Sequence, residues 1–144
     1  MLEIVNNSQT IIKLKIANQD LNHQEVVDKI CEIIERSQII SHLDISWANI
    51  SPKYLGILAE TLLNYPNKIR YLNIGYNSLK PNCEDSQNFS SVMMEYLKKT
   101  PVLNHLNISG MCLPQELILD IADIIATVKS PLMAIHLSDL DIKD

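Results

Sequence analysis

The chain is 144 residues long, the size of one domain, and 47% of it is apolar, enough to bury a core. Six prolines and three glycines are too few for a disordered linker, and a net charge of -5 with a pI near 5.3 argues against nucleic acid as the main partner. No apolar run approaches the ~18–20 residues of a membrane span, and the start "MLEIVNNSQT" lacks the basic and apolar regions of a signal peptide.

Taken in order, the segments repeat one plan. Glu3–Ile11 matches Glu32–Ile40 at an offset of 29, which predicts that residues 1–10 are the helix tail of a preceding unit. "IIKLKIANQDL" from Ile11 alternates polar and apolar side chains, the period of a strand with one buried face. "HQEVVDKICEIIER" then changes to helical spacing, with Val26, Val27, Ile30, Ile33 and Ile34 on one stripe. "ISHLDISWANI" from Ile40 repeats the strand. "SPKYLGILAETLLN" follows as a helix, with Ser51 at its N-cap, Pro52 at its first position and Leu55, Leu58 and Leu62 inward. "IRYLNIGYNSL" from Ile69 is the third strand. "KPNCEDSQNFSS" after it predicts a protruding loop over Lys80–Ser90, with Asn82, Glu84 and Asp85 exposed. The helix "SSVMMEYLKK", the strand "LNHLNISGMCL" from Leu103 and the helix "PQELILDIADIIATV" come next, the last with Leu117, Ile121, Ile124 and Ile125 inward. "LMAIHLSDLDI" from Leu132 is the fifth strand. At the C-terminal face of this unit, Ile135, Leu137, Leu140 and Ile142 lack a covering helix, which predicts self-association or the continuation of a longer array.

The five strand segments start 29, 29, 34 and 29 residues apart, and each places aliphatic residues at positions 1, 4, 6 and 11. One such unit cannot bury its own apolar face, whereas stacked units share a core. The pattern resembles the leucine-rich repeat family, matched best by "IRYLNIGYNSL", and the 29-residue period with a full helix is similar to its ribonuclease-inhibitor-like subclass. The resemblance implies a single α/β domain over residues 1–144: a right-handed solenoid with units starting near 11, 40, 69, 103 and 132, parallel strands on the concave face and helices on the convex face. Position 9 departs from the family. It holds Gln19, Ala48, Asn77, Met111 and Leu140, so only Asn77 supplies the usual amide and the turns are expected to be irregular.

Positions 3 and 5 of each unit point away from the core. They hold Lys13, His42, Tyr71, His105 and Ala134, and Lys15, Asp44, Asn73, Asn107 and His136. Positions 7 and 8 rim that face with Ser46, Trp47, Gly75, Tyr76, Gly110 and Asp139, which makes Trp47 and Tyr76 neighbours. Aromatics beside small polar residues have the composition of an interaction hot spot, and the alternative is that both rings pack locally over the turn. The partner-binding set is thus Lys15, His42, Asp44, Trp47, Tyr71, Asn73, Tyr76, His105, Asn107 and His136. The sheet face alone covers a few hundred Å2, below the about 800 Å2 of a standard partner surface, so rim and ends must contribute as well.

No metal, cofactor or catalytic residue is expected. His42 and His105 are two strands apart, and His105 and His136 are diagonal at about 7–8 Å, too far apart to share a metal directly. The cysteines Cys31, Cys83 and Cys112 are odd in number without paired spacing; each reads as a small buried hydrophobe in a reducing compartment. The arginines Arg36 and Arg70 do not reproduce the loop constellation of the Ran GTPase-activating proteins, one related class. The expected function is non-catalytic protein–protein interaction, as a scaffold or adaptor segment of a larger cytosolic or cytoskeletal assembly such as the axonemal and actin-capping proteins, with a cytoplasmic location and neither nucleic acid nor membrane as partner. Two alternatives stand beside it: a bacterial effector that binds host proteins, and a substrate-recognition or regulatory module of an enzyme whose catalytic domain is absent.

Overall fold

The computed structural model describes residues 11–80, 83–127 and 131–140. Among these residues, strands β1 (Lys13–Lys15), β2 (His42–Asp44), β3 (Tyr71–Asn73), β4 (His105–Asn107) and β5 (Ala134–His136) alternate with helices α1 (Gln24–Arg36), α2 (Pro52–Asn64), α3 (Glu84–Lys99) and α4 (Gln115–Thr127). The strands form one parallel sheet in chain order. Its register pairs equivalent positions at every step: Lys13, His42, Tyr71, His105 and Ala134 lie side by side. This α/β arrangement is consistent with leucine-rich-repeat architecture. The proposed tail over 1–10, Asn82 and Ile142 lie outside the described residues.

The middle residue of each strand faces the helices. Leu14, Leu43, Leu72 and Leu106 are buried, joined by Ile45, Ile74 and Ile108 two residues on. The helices answer with Val27, Ile30, Ile33 and Ile34 from α1, Leu55, Leu58 and Leu62 from α2, Phe89, Met93, Tyr96 and Leu97 from α3, and Leu117, Ile121 and Ile124 from α4. Together they form one continuous core. Each such side chain stabilises the fold by about 1.5–3 kcal/mol on burial, so a strand of three residues persists only because its neighbours complete the core.

Three expectations are corrected, and a fourth, Ser51 at the N-cap of its helix, holds in position. The segment after β3 is not a long loop: α3 begins at Glu84, buries Ser86 and Phe89, and runs 16 residues where the other helices run 13. Phe89, Met93, Tyr96 and Leu97 fall on one helical stripe, and Glu84 and Asp85 sit in the first turn, where the helix dipole favours acids; both are exposed, as expected. Ile125 faces outward at 43% exposure, because it falls one residue past Ile124 on a stripe that Ile121 and Ile124 already fill. Cys31, Cys83 and Cys112 are only half-buried. Ser51 stands at the N-cap of α2, yet its hydroxyl makes no capping bond; its backbone N–H donates to Asn22 Oδ1 at 3.0 Å instead.

Adjacent units are also tied at their helix ends. The Lys68 ammonium donates to three carbonyls at the end of α1, those of Ile34 (2.7 Å), Glu35 (2.6 Å) and Ser37 (2.8 Å). A cation there meets the negative end of the helix dipole.

Candidate partner-binding surface

The turns after the strands position the candidate residues, and they are regular rather than irregular. Position 8 has a left-handed backbone in all five units: Asn18 (φ 59), Trp47 (φ 55), Tyr76 (φ 56), Gly110 (φ 65) and Asp139 (φ 54). The missing amides of position 9 are replaced by a backbone ladder. The N–H groups of Asn18, Trp47, Tyr76 and Gly110 donate to the carbonyls of Ser46, Gly75, Ser109 and Ser138 in the following unit, at 2.7–3.1 Å. Position 5 supports the same turn from inside the unit. Asp44 Oδ1 accepts from Ser46 N–H (3.2 Å) and Ser46 Oγ–H (2.7 Å), Asn73 Oδ1 from Gly75 N–H (3.2 Å) and Asn107 Oδ1 from Ser109 N–H (3.0 Å). These are Asx-type bonds, which Asp and Asn form readily.

Asn77 is the one position-9 residue that follows the family, and it saturates its amide. Its Oδ1 accepts from the N–H of Ala48 (3.2 Å) and Ile50 (3.0 Å), and its Nδ2 donates to the carbonyls of Ile45 and Ile74 (both 2.9 Å). The turn that carries Trp47 is therefore held from two sides.

Two columns of rings stand on this frame. On the rim, Trp47 and Tyr76 stack with centroids 4.0 Å apart and planes 8° from parallel. Tyr76 also covers Gly110, where an added Cβ would lie 2.2 Å from the ring, so glycine is required there by both contact and backbone. The Tyr76 hydroxyl donates to Asp139 Oδ2 at 2.7 Å, a bond that pushes the phenol above its ordinary range. Trp47 ends the column and remains 56% exposed. Beside it runs a groove of about 410 Å3, lined by Asn49, Ser78, Leu79 and Cys112 together with both rings.

The second column crosses the open face of the sheet. His42 stacks on Tyr71 (5.6 Å), Tyr71 on His105 (4.6 Å), and His105 meets His136 at 4.6 Å in a tilted arrangement. The His105–His136 rings are closer than the diagonal spacing suggested, because long side chains lean along the strand. Burial, then Lys13, lowers the His42 pKa from its ordinary value; burial, then His136, does the same to His105. Among the described residues, no group of three or more His, Cys, Asp or Glu could hold a metal ion.

The structure thus brings together Trp47 with Tyr76, and His42 with Tyr71, His105 and His136. Lys15 is exposed and lies 3.5 Å from Asp44. Asp44, Asn73 and Asn107 serve the turns, and Asn73 is buried. Sequence reasoning missed Gly110 and Asp139 as partners of Tyr76, although all three share position 8. It also missed the left-handed turn itself, for which Asn18, Gly110 and Asp139 in one column were the available signal.

Two solved structures are similar to this chain. The C-terminal domain of a tropomodulin from Caenorhabditis elegans has a TM-score of 0.72 at 18% identity, covering 95% of this chain and 81% of that one. Actin-binding site 2 of leiomodin-1 has a TM-score of 0.71 at 15% identity, covering 94% of this chain and 76% of that one. At these identities the likeness is one of fold. No protein-family model and no curated protein matches the chain. Among the described residues, no helix is long and apolar enough to cross a membrane.

Proposed function

We propose that the chain is a right-handed leucine-rich-repeat solenoid that works, without catalysis, as a cytoplasmic protein-interaction module in a cytoskeletal assembly. The observation that carries this reading is Trp47. It is the only tryptophan in the chain, is more than half exposed, and occupies a left-handed backbone that a bulky residue adopts at a cost of about 1–2 kcal/mol. Asn, Gly and Asp fill the same position in three of the other four units, and Tyr76, its stacking partner, fills it in the fourth. Backbone strain at an exposed aromatic is a pointer to function, and exposed Trp and Tyr are the residues that dominate interfaces. The groove beside the rings offers a partner side chain a place to insert.

Leiomodin-1 uses a domain of this fold that is named for binding actin, so actin is the first partner to test. Co-sedimentation with filamentous actin and a pull-down with monomeric actin cover both forms. Binding by the wild type that falls about thirtyfold or more in Trp47→Ala, roughly the 2 kcal/mol of a hot spot, supports the reading. Undiminished binding by Trp47→Ala and Tyr76→Ala would remove the rim from the interface. No binding to either actin form would remove actin and leave the partner to affinity capture.

A further inference from the structure

The open face of the sheet has the opposite charge character to the rest of the molecule. The chain carries 17 acidic residues against 12 lysines and arginines. Four of the acids, Glu25, Asp28, Glu32 and Glu35, lie on α1 alone, and three more, Glu116, Asp120 and Asp123, lie on α4. Of the strand positions that face outward, by contrast, Lys13, Lys15, His42, His105 and His136 are basic or become so on protonation, and only Asp44 is acidic. Asp44 is itself occupied, by Lys15 at 3.5 Å and by the Ser46 turn. Among the described residues, the helices pack against the other, buried side of the sheet.

The geometry is that of a track rather than a scatter of charges. The rings of His42, Tyr71, His105 and His136 form one contiguous column with centroid spacings of 4.6–5.6 Å, and Lys13 continues it on β1. Across five strands the column measures about 19 Å, enough for roughly six residues of extended chain. Imidazole edges and ammonium groups donate to carboxylates, with charge-assisted bonds once the histidines are protonated.

We propose that the open face of the sheet binds an extended acidic segment of a protein partner, laid along the His42–Tyr71–His105–His136 column and anchored at one end by Lys13 and Lys15. The proposal rests on the protein-interaction reading and extends it to a second surface. Binding on this face strengthens as pH falls through the histidine range, because each proton taken up adds positive charge opposite a carboxylate. The charged and titratable groups that set this response are the two lysines, Asp44 and the three histidines.

Fluorescence anisotropy of the full chain with an octapeptide of alternating Glu and Ser tests the proposal, with the Lys/Ser octapeptide and octauridylate as competitors. The acidic peptide is expected to bind in preference to the basic one. Its affinity is expected to rise about threefold or more from about pH 7.5 to about pH 5.5, and to fall as salt is added. Lys13→Glu and Lys15→Glu lie on exposed side chains that the core does not need, and each is expected to weaken binding about threefold. His105→Gln with His136→Gln is expected to flatten the pH response. Equal binding of the acidic and basic peptides, a pH-independent affinity, or tighter binding of the RNA than of the peptide would overturn the proposal. Actin co-sedimentation run alongside separates the two readings: failure with the peptide while actin binding persists removes only this inference, and the converse removes only actin as the partner.

Discussion

The two ring columns are built on different terms. The column across the sheet follows strand register, and its residues sit in extended backbone that any side chain tolerates. The rim column requires a left-handed backbone at Trp47 and Tyr76, a glycine at 110 beneath the Tyr76 ring, and Asn77 bracing the turn from below. Stacking in the first case comes with the repeat. In the second it is assembled from four special residues, and one ring still faces water. The sheet-face column follows from the repeat register, whereas the rim column places two bulky rings in the left-handed backbone that Asn, Gly and Asp occupy in the other units.

The sharpest way to break the rim is Asn77→Ala. It strands the N–H groups of Ala48 and Ile50 and the carbonyls of Ile45 and Ile74 in a buried turn. An unsatisfied buried group costs about 1–3 kcal/mol, so urea denaturation is expected to show a loss of ~3 kcal/mol. A loss well below that would mean that the backbone ladder alone holds the turn. Gly110→Ala is expected to have the next largest effect, ~2 kcal/mol, from left-handed strain plus displacement of Tyr76. Because Trp47 is the only tryptophan, its fluorescence reports directly whether the stack opens in that variant.

The sheet-face column is expected to respond to pH and the rim column not to. His42 and His105 hold a proton less tightly in the fold than in the unfolded chain. Their neutral forms therefore support the fold above the ordinary histidine range, and that support is lost as pH falls below it. The effect is the smallest of the three. Melting temperatures measured from neutral to mildly acidic pH are expected to decline, with the decline reduced in His42→Gln and His105→Gln. An unchanged slope in those variants would assign the decline to carboxylates elsewhere.

The repeat made the fold legible because aliphatic spacing at positions 1, 4, 6 and 11 can bury itself in few other ways. All five strands begin two residues after the predicted unit starts, and their register follows. The extended α3 was obscured by Pro81, Asn82 and Cys83 in a segment rich in turn formers, while the spacing of Phe89 to Met93 and Tyr96 already carried the helical period. The Lys68 anchor on α1 spans 31–34 residues and leaves no local trace. The Trp47–Tyr76 pair was readable from unit alignment alone. Its backbone was hidden at these two positions, because neither residue favours a left-handed turn; the signal lay in Asn18, Gly110 and Asp139 at the same position of the other units.

The central claim is that Trp47 serves a partner more than the fold, and the unfolding free energy of Trp47→Asn, followed by circular dichroism in urea, tests it most directly. Asparagine accepts the left-handed backbone and relieves about 1–2 kcal/mol of strain, while loss of the stack on Tyr76 removes about 0.5–1.5 kcal/mol. The account predicts a stability within ~1 kcal/mol of wild type, since these terms nearly cancel. A loss above ~2 kcal/mol, the size seen when a core side chain is truncated, would contradict it and make Trp47 part of the structure.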